Sequence, residues 1–254
     1  NSPMEGYIVD RDIIETISYC DNLGLKTNTT GPTGCGKTEV WEWYATMCGR
    51  PFMRISHTDD FDRNQVFGRM DIVAGETVFT LGVLPQSFSE PTLVLLDELT
   101  LAPAAALQAY GTLGDRRHLL LPEMREGGMK PLEPVAGWTF HAADNTKGNG
   151  DGMDRYISSN VQDARFLNRF DACIEMDYLS QSLEHGLIKS LCTRLQPEEV
   201  QQLSLISGLL HIGVNEGTLT CDFSPRNLKA IAELTNGGMS MSEAFKLNYL
   251  SRVS

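Results

Sequence analysis

The sequence predicts an α/β fold: a parallel five-stranded sheet with helices on both faces, followed by an all-helical C-terminal segment. Three observations carry that expectation. Short β-like runs alternate with helical stretches from Leu25 to about Tyr178. From Leu179 onward apolar residues recur at helical spacing, as in Leu183, Leu187, Ile188 and Leu191. A glycine-rich loop, Gly31-Pro32-Thr33-Gly34-Cys35-Gly36-Lys37-Thr38, separates the first β-like run from the helix that follows it. The expected division is an α/β core over residues 1–179 and a helical lid over residues 180–254.

Leu25–Thr30 is polar for a central strand, which normally reads as a run of Val, Ile and Leu, and its position just before the loop assigns it to the sheet. The remaining strand candidates are Phe52–Ser56, Thr92–Asp97, Trp138–Ala143 and Ala172–Met176. The helix from Lys37 to Cys48 carries apolar residues on most faces (Val40, Trp41, Trp43, Tyr44, Met47) and stops at Gly49-Arg50-Pro51. Two insertions read as hairpins, Met70–Leu81 around Ala74-Gly75-Glu76 and Leu119–Pro134 around Gly127-Gly128. Near the C-terminus, Ser224 suits an N-cap with Pro225 in the first turn, and Asn236-Gly237-Gly238 ends that helix. A last helix covers Ser242 to Leu250.

The loop fits the P-loop pattern G-x-x-x-x-G-K-[ST] without a mismatch, which points to a nucleoside triphosphate. Gly31, Gly34 and Gly36 let the backbone aim its N–H groups at a phosphate, with Pro32, Thr33 and Cys35 completing the cradle. The helix starting near Lys37 adds the positive end of its dipole. Lys37 suits the β/γ-phosphates and Thr38 suits Mg²⁺. Downstream, the apolar run Thr92-Leu93-Val94-Leu95-Leu96 ends in Asp97 and Glu98. A buried strand of this kind delivers Asp97 to the metal, while Glu98 polarises the attacking water.

Three further residues are candidates for the same chemistry. Asn145 follows the next strand, where it either orients water or the γ-phosphate at the sheet's carboxyl edge, or opens the turn-rich run behind it. Arg169, just before the last strand, is either a finger reaching a neighbour's nucleotide or a surface ion pair, and Arg165 is the second candidate for the finger. Arg226 lies in a first helical turn, where the dipole disfavours a cation. An anion is therefore expected beside it, either a γ-phosphate or a nearby Glu. Cys35, inside the cradle, makes thiol modification an expected off-switch.

Composition removes several classes of function. With 21 Lys and Arg against 33 Asp and Glu, the formal charge of −12 repels nucleic acid on average. Six scattered cysteines without a C-x-x-C pair argue for a reducing, cytoplasmic compartment. No apolar run reaches membrane-spanning length, so no membrane partner is expected. The histidines have no metal-ligand spacing, which argues against structural zinc.

Taken together, these motifs resemble AAA+ ATPases of the MoxR group, most closely the CobS-like branch, the ATPase subunit of aerobic cobaltochelatase, with CbbQ and NorQ-type relatives. The resemblance rests on Gly82-Val83-Leu84-Pro85, on the third motif from Ala143 to Asp151, on Asn168-Arg169-Phe170 and on Ser224-Pro225-Arg226. CbbQ is similar through Gly31–Thr38 and His57-Thr58-Asp59-Asp60. The resemblance implies ATP hydrolysis with Mg²⁺, with Asn145 as sensor 1, Arg169 as a trans arginine finger and Arg226 as sensor 2. It also implies that the two insertions face the pore of a hexameric ring. The implied partner carries a von Willebrand factor A domain, on which the ring does remodelling or metal-insertion work. Asp144 stands where the family carries a small residue before the Asn. The rival readings are a CbbQ-type activase motor, a nucleic-acid AAA+ motor and a small-molecule P-loop kinase.

Overall fold

Five parallel strands form one sheet in the order β2-β5-β6-β1-β7. They are β1 (Thr27–Thr30), β2 (Phe52–Ser56), β5 (Leu93–Asp97), β6 (Thr139–Asp144) and β7 (Ala172–Glu175). β3 (Gly68–Val73) and β4 (Glu76–Leu81) form a separate antiparallel pair, preceded in the chain by the short helix α3 (Arg63–Phe67) and followed by α4 (Val83–Gln86). The computed structural model describes residues 8–58, 61–126, 128–145, 168–219, 221 and 223–251. The chain divides into two compact units, one of Glu15–Thr30 and Trp41–Glu175, the other of Asn1–Ile14, Gly31–Val40 and Met176–Ser254.

In the first unit the register aligns Ser56, Asp97, Ala143, Thr29 and Ile174 in one row across the sheet, close to its carboxyl edge. Asp97 and Thr29 are thus separated by a single strand. That edge is where ligands of open parallel sheets gather, and β1, from which the P-loop departs, lies between β6 and β7. The apolar runs of β5 and β6 pack against α5 (Ala104–Arg116) through Val94, Leu96, Phe140, Ala109, Tyr110 and Leu113.

The polarity of β1 is resolved by its partners. All four residues are buried, and burial without hydrogen bonds costs about 1–3 kcal/mol per polar group. Thr27 Oγ1 lies 2.8 Å from His141 Nδ1 on β6, and Trp41 Nε1 donates to Thr29 Oγ1 at 2.9 Å. Thr30 Oγ1 is 3.6 Å from Cys173 Sγ on β7. Asn28 Oδ1 is buried without a hydrogen-bond partner among the described residues. Trp41 belongs to α2 (Lys37–Met47) and stacks on His141 with ring centroids 4.0 Å apart, so the helix after the loop uses its aromatic face to finish the strand.

His141 continues this network to Asp21, which ends α1 (Arg11–Asn22) with its partner Arg50. Thr27 donates its backbone N–H to His141 Nδ1, so Nε2 carries the proton that faces Asp21 Oδ1 at 3.4 Å. Burial opposes the charge on Asp21, but the hydrogen bond from His141 and the Arg50 guanidinium at 2.6 Å hold its carboxyl well below the usual carboxylate range. Burial keeps His141 neutral by lowering its pKa.

The two insertions differ in build. Met70–Leu81 is the expected hairpin, turning at Ala74 (φ 54°) and Gly75 (φ 86°). Paired positive φ values are the mark of a type I′ turn, whose twist suits a two-residue hairpin. Residues 119–134 are closed instead by a single antiparallel pair, Leu119 with Leu132, and the tip contains α6 (Pro122–Glu126).

In the second unit α7 (Gln181–Leu191), α8 (Pro197–Asn215), α9 (Pro225–Asn236) and α10 (Met241–Phe245) follow one another, and α10 widens into a π-helical turn at Lys246–Leu250. Their core is Ile188, Leu203, Phe223, Leu228, Ile231 and Tyr249. Asn227 Oδ1 accepts the Ser224 N–H at 2.9 Å, and its amide donates to Asn248 Oδ1 at 2.9 Å, which ties the start of α9 to the last turn. Among the described residues no helix is long and apolar enough to cross a membrane.

Candidate nucleotide site

The P-loop belongs to the same compact unit as the C-terminal helices. Its backbone turns through Gly34 (φ 77°) and Gly36 (φ 100°), conformations that side chains resist. A Cβ at Gly31 would overlap the backbone carbonyl of Met176, and one at Gly34 would come within 2.6 Å of Ser224 Cβ. The loop is thus closed on two sides by the C-terminal segment, by the Met176 backbone and by the Ser224 side chain. Lys37 is 7% exposed, and its ammonium donates to the Gly31 and Pro32 carbonyls at 2.9 and 2.7 Å. Arg226 Nη2 lies 3.8 Å from Glu39 Oε1, so the anion expected beside that arginine is a glutamate in the first turn of α2.

Cys35 does not fit the off-switch expected of it. Its thiol is buried, and burial pushes its pKa above the ordinary cysteine value against the pull of Lys37. A reactive cysteine needs an exposed, electropositive setting that favours the thiolate, and Cys35 has only the nearby cation.

In the sheet unit Asp97 is buried at the end of β5, with Arg54 Nη2 at 2.7 Å from Oδ2 and the Glu98 N–H at 3.1 Å from Oδ1. Glu98 is left-handed (φ 54°, ψ 44°), which costs a non-glycine residue about 1–3 kcal/mol and persists where surroundings over-determine it. Those surroundings are specific. The Asp97 carbonyl accepts two bonds from His57, one from its N–H at 3.1 Å and one from Nδ1 at 2.8 Å. His57 Nε2 then accepts from the Tyr110 hydroxyl at 2.9 Å. Burial holds His57 below its ordinary pKa, consistent with this neutral tautomer.

Asn145 is half-buried beyond the end of β6. Its N–H donates to its neighbour Asp144 at 2.8 Å. Arg169 is paired with Asp115 at 3.2 Å, and its guanidinium rests over Gly111, where a Cβ would lie 3.0 Å from Cζ. That is the ion pair, with the side chain still 34% exposed. Arg165, Asp59, Asp60 and residues 146–151 of the third motif lie outside the described residues.

Sequence reasoning assigns no role to Arg54, Tyr110 or Thr100, and marks His57 only through the His57-Thr58-Asp59-Asp60 likeness, because each acts through a neighbour. Thr38 and Asp97 are hard oxygen donors suited to Mg²⁺. Among the described residues no cluster of three His, Cys, Asp or Glu side chains can hold a metal by itself. Thr38 and Asp97 are each the kind of donor taken by a cation that arrives with nucleotide phosphates and keeps several waters.

Residues 30–166 match the AAA domain family, dynein-related subfamily. The chain belongs to that family and is an AAA+ ATPase. Protein NorQ of Paracoccus denitrificans is 34% identical over 240 residues, covering 94% of this chain and 84% of NorQ. That likeness makes this AAA+ ATPase one of the MoxR type. Midasin of Dictyostelium discoideum is 32% identical over 180 residues, covering 69% of this chain and 3% of midasin. The chain spans only 3–4% of the midasins it matches. Among solved structures, the Thermotoga maritima RuvB Holliday junction branch migration motor aligns over 97% of this chain and 72% of RuvB, with a TM-score of 0.61 and 12% identity. NtrX from Brucella abortus, solved with ADP, aligns over 90% of this chain and 50% of NtrX, with a TM-score of 0.60 and 14% identity. Both likenesses bear on the fold, which is that of an α/β P-loop NTPase with a helical C-terminal region.

Proposed function

We propose that this AAA+ ATPase is the motor subunit of a ring in which Mg²⁺-dependent ATP hydrolysis moves the helical lid, residues 180–254, against the core, residues 1–179, and so remodels a partner protein. The observation that carries the reading is the seating of the P-loop against the lid: Gly34 abuts Ser224, and Arg226 pairs with Glu39 of the loop's own helix. A γ-phosphate is a stronger anion than an exposed Glu, so nucleotide binding gives Arg226 a better partner and the lid a reason to move.

In this reading Lys37 and the loop amides bind the phosphates, while Thr38 and Asp97 hold Mg²⁺. Bound Mg²⁺ neutralises charge that builds on the phosphoryl oxygens. Glu98 polarises the attacking water, Asn145 orients it, and Arg169 leaves Asp115 to reach the neighbouring subunit's nucleotide. The ring is hexameric and the partner carries a von Willebrand factor A domain. Likeness to NorQ over nearly the whole chain supports a MoxR-type task, of which the cobaltochelatase and CbbQ-type activase roles are the two forms proposed.

The test is a pair of variants. Lys37→Ala loses ATP binding, whereas Glu98→Gln binds ATP and loses turnover by on the order of 10²-fold or more. Wild-type turnover by Glu98→Gln refutes the role assignment. A hydrolysis-blocked Glu98→Gln ring is also the bait for the partner, and a chain with a von Willebrand factor A domain is the expected catch.

A further inference from the structure

Asp144 stands directly before Asn145, and its surroundings give it a task. It ends β6 and is 3% exposed. Its Oδ2 accepts the Thr100 N–H at 2.8 Å, while its Oδ1 accepts both the Thr100 hydroxyl and the Asn145 N–H, each at 2.8 Å. Thr100 is 5% exposed and sits in a short 3₁₀ turn, Leu99–Leu101, directly after Glu98.

Glu98 therefore lies between two anchors. On its N-terminal side His57 holds the carbonyl of Asp97 with two donors, backed by Tyr110. On its C-terminal side Asp144 holds Thr100 with two acceptors. A left-handed glutamate keeps its backbone only while both sides are fixed, because relaxation of either lets the peptide return to an unstrained conformation.

We infer that Asp144 is a positioning residue for hydrolysis: one carboxylate, through Thr100 and through the Asn145 N–H, sets the orientation of Glu98 and of Asn145 together. The inference rests on the reading of Glu98 and Asn145 given above. Its chemistry demands a carboxylate. Three donors converge on Asp144, and a carboxylate offers acceptor sites on both oxygens. An amide offers one oxygen, so Asp144→Asn turns an NH₂ toward at least one of those N–H or O–H groups. A small residue at this position would leave the Thr100 and Asn145 donors to other acceptors and uncouple the two.

The experiment uses the full chain with ATP as substrate and a non-hydrolysable ATP analogue as the binding probe. Asp144→Asn and Thr100→Val are expected to lower kcat by on the order of 10²-fold, the size of effect that small misplacements of reacting groups produce, with KM and analogue affinity unchanged. Thr100→Ser keeps the hydroxyl and both bonds, so it should retain most of the turnover that Thr100→Val loses. Wild-type kcat in Asp144→Asn, alongside an inactive Glu98→Gln, overturns the inference and leaves the site reading intact. Loss of turnover in Thr100→Ser with turnover kept in Thr100→Val also overturns it, since a packing role alone needs the methyl that valine keeps and serine lacks. Wild-type turnover in Glu98→Gln removes the reading on which the inference stands, and the two failures are thereby told apart.

Discussion

Gly34 stands directly against Ser224, at a distance that leaves no room for a side chain: a Cβ on Gly34 would lie 2.6 Å from Ser224 Cβ and 2.7 Å from its Oγ. The positive φ of 77° at Gly34 adds a second objection to any other residue. Gly34→Ala therefore forces the loop or the start of α9 to move. The strain is about 1–3 kcal/mol, and if it falls on the loop it weakens nucleotide binding by roughly 5- to 150-fold. Gly49→Ala is the control, because Gly49 also has positive φ (64°) but nothing within 4 Å of the added Cβ. It should lose stability while keeping nucleotide affinity, and calorimetric titration with an ATP analogue separates the two.

The bond from Trp41 to Thr29 is buried on both sides, which makes its loss visible. Trp41→Phe strips Thr29 of its donor, so it should destabilise by about 1–3 kcal/mol beyond the ring's lost volume. Combining it with Thr29→Val removes both polar partners and should recover part of that loss. Urea midpoints for the two single variants and the double variant give the comparison, and strictly additive losses would contradict the pairing.

Acid should weaken the fold in two windows. His57 and His141 are held neutral by burial, with folded pKa values below the ordinary one. The unfolded chain then binds more protons, so their contribution is full above about pH 6.5 and is lost as the pH falls below it. Asp21 has a depressed carboxyl pKa, so its contribution is present above about pH 3.9 and is lost on further acidification. His141→Asn should shrink the first window to the part that His57 contributes, as measured by unfolding free energy against pH.

Arg169 holds Asp115 on its own subunit, so its role as a finger predicts a shared site. Arg169→Ala should bind nucleotide yet lose roughly 10³-fold or more in turnover. Mixing Arg169→Ala subunits with Lys37→Ala subunits should restore activity, because some interfaces then join an intact loop to an intact arginine. Mixtures as inactive as either variant alone would refute a trans role.

Much of the architecture is visible in local pattern. β2 matches its expected bounds because Gly49-Arg50-Pro51 breaks the helix before it. The loop and the Asp97-Glu98 strand end are equally plain, since each is a contiguous motif. What stayed hidden depends on partners distant in the chain. The polar β1 is satisfied by Trp41 and His141, and nothing local to Thr27–Thr30 names them. Arg54 carries no motif and the His57-Thr58-Asp59-Asp60 likeness gives His57 no role, and both meet Asp97 only because β2 pairs with β5. At α6 the helical start is legible in Pro122-Glu123, but Gly127-Gly128 is the stronger local turn signal and points to a hairpin instead.

The hydroxyls of β1 also act as a ruler. Apolar strands are indifferent to a slide of two residues, which keeps every side chain on its face. A slide in one direction would put Gly31 where Thr29 sits and leave the Trp41 indole without its acceptor. The opposite slide would put Leu25 in place of Thr27 and strand the His141 ring nitrogen. Either error would move the end of the strand by roughly 7 Å along the sheet, and with it the point from which the phosphate-binding loop departs. The few polar atoms inside this sheet thus measure out where the Gly31–Thr38 loop begins.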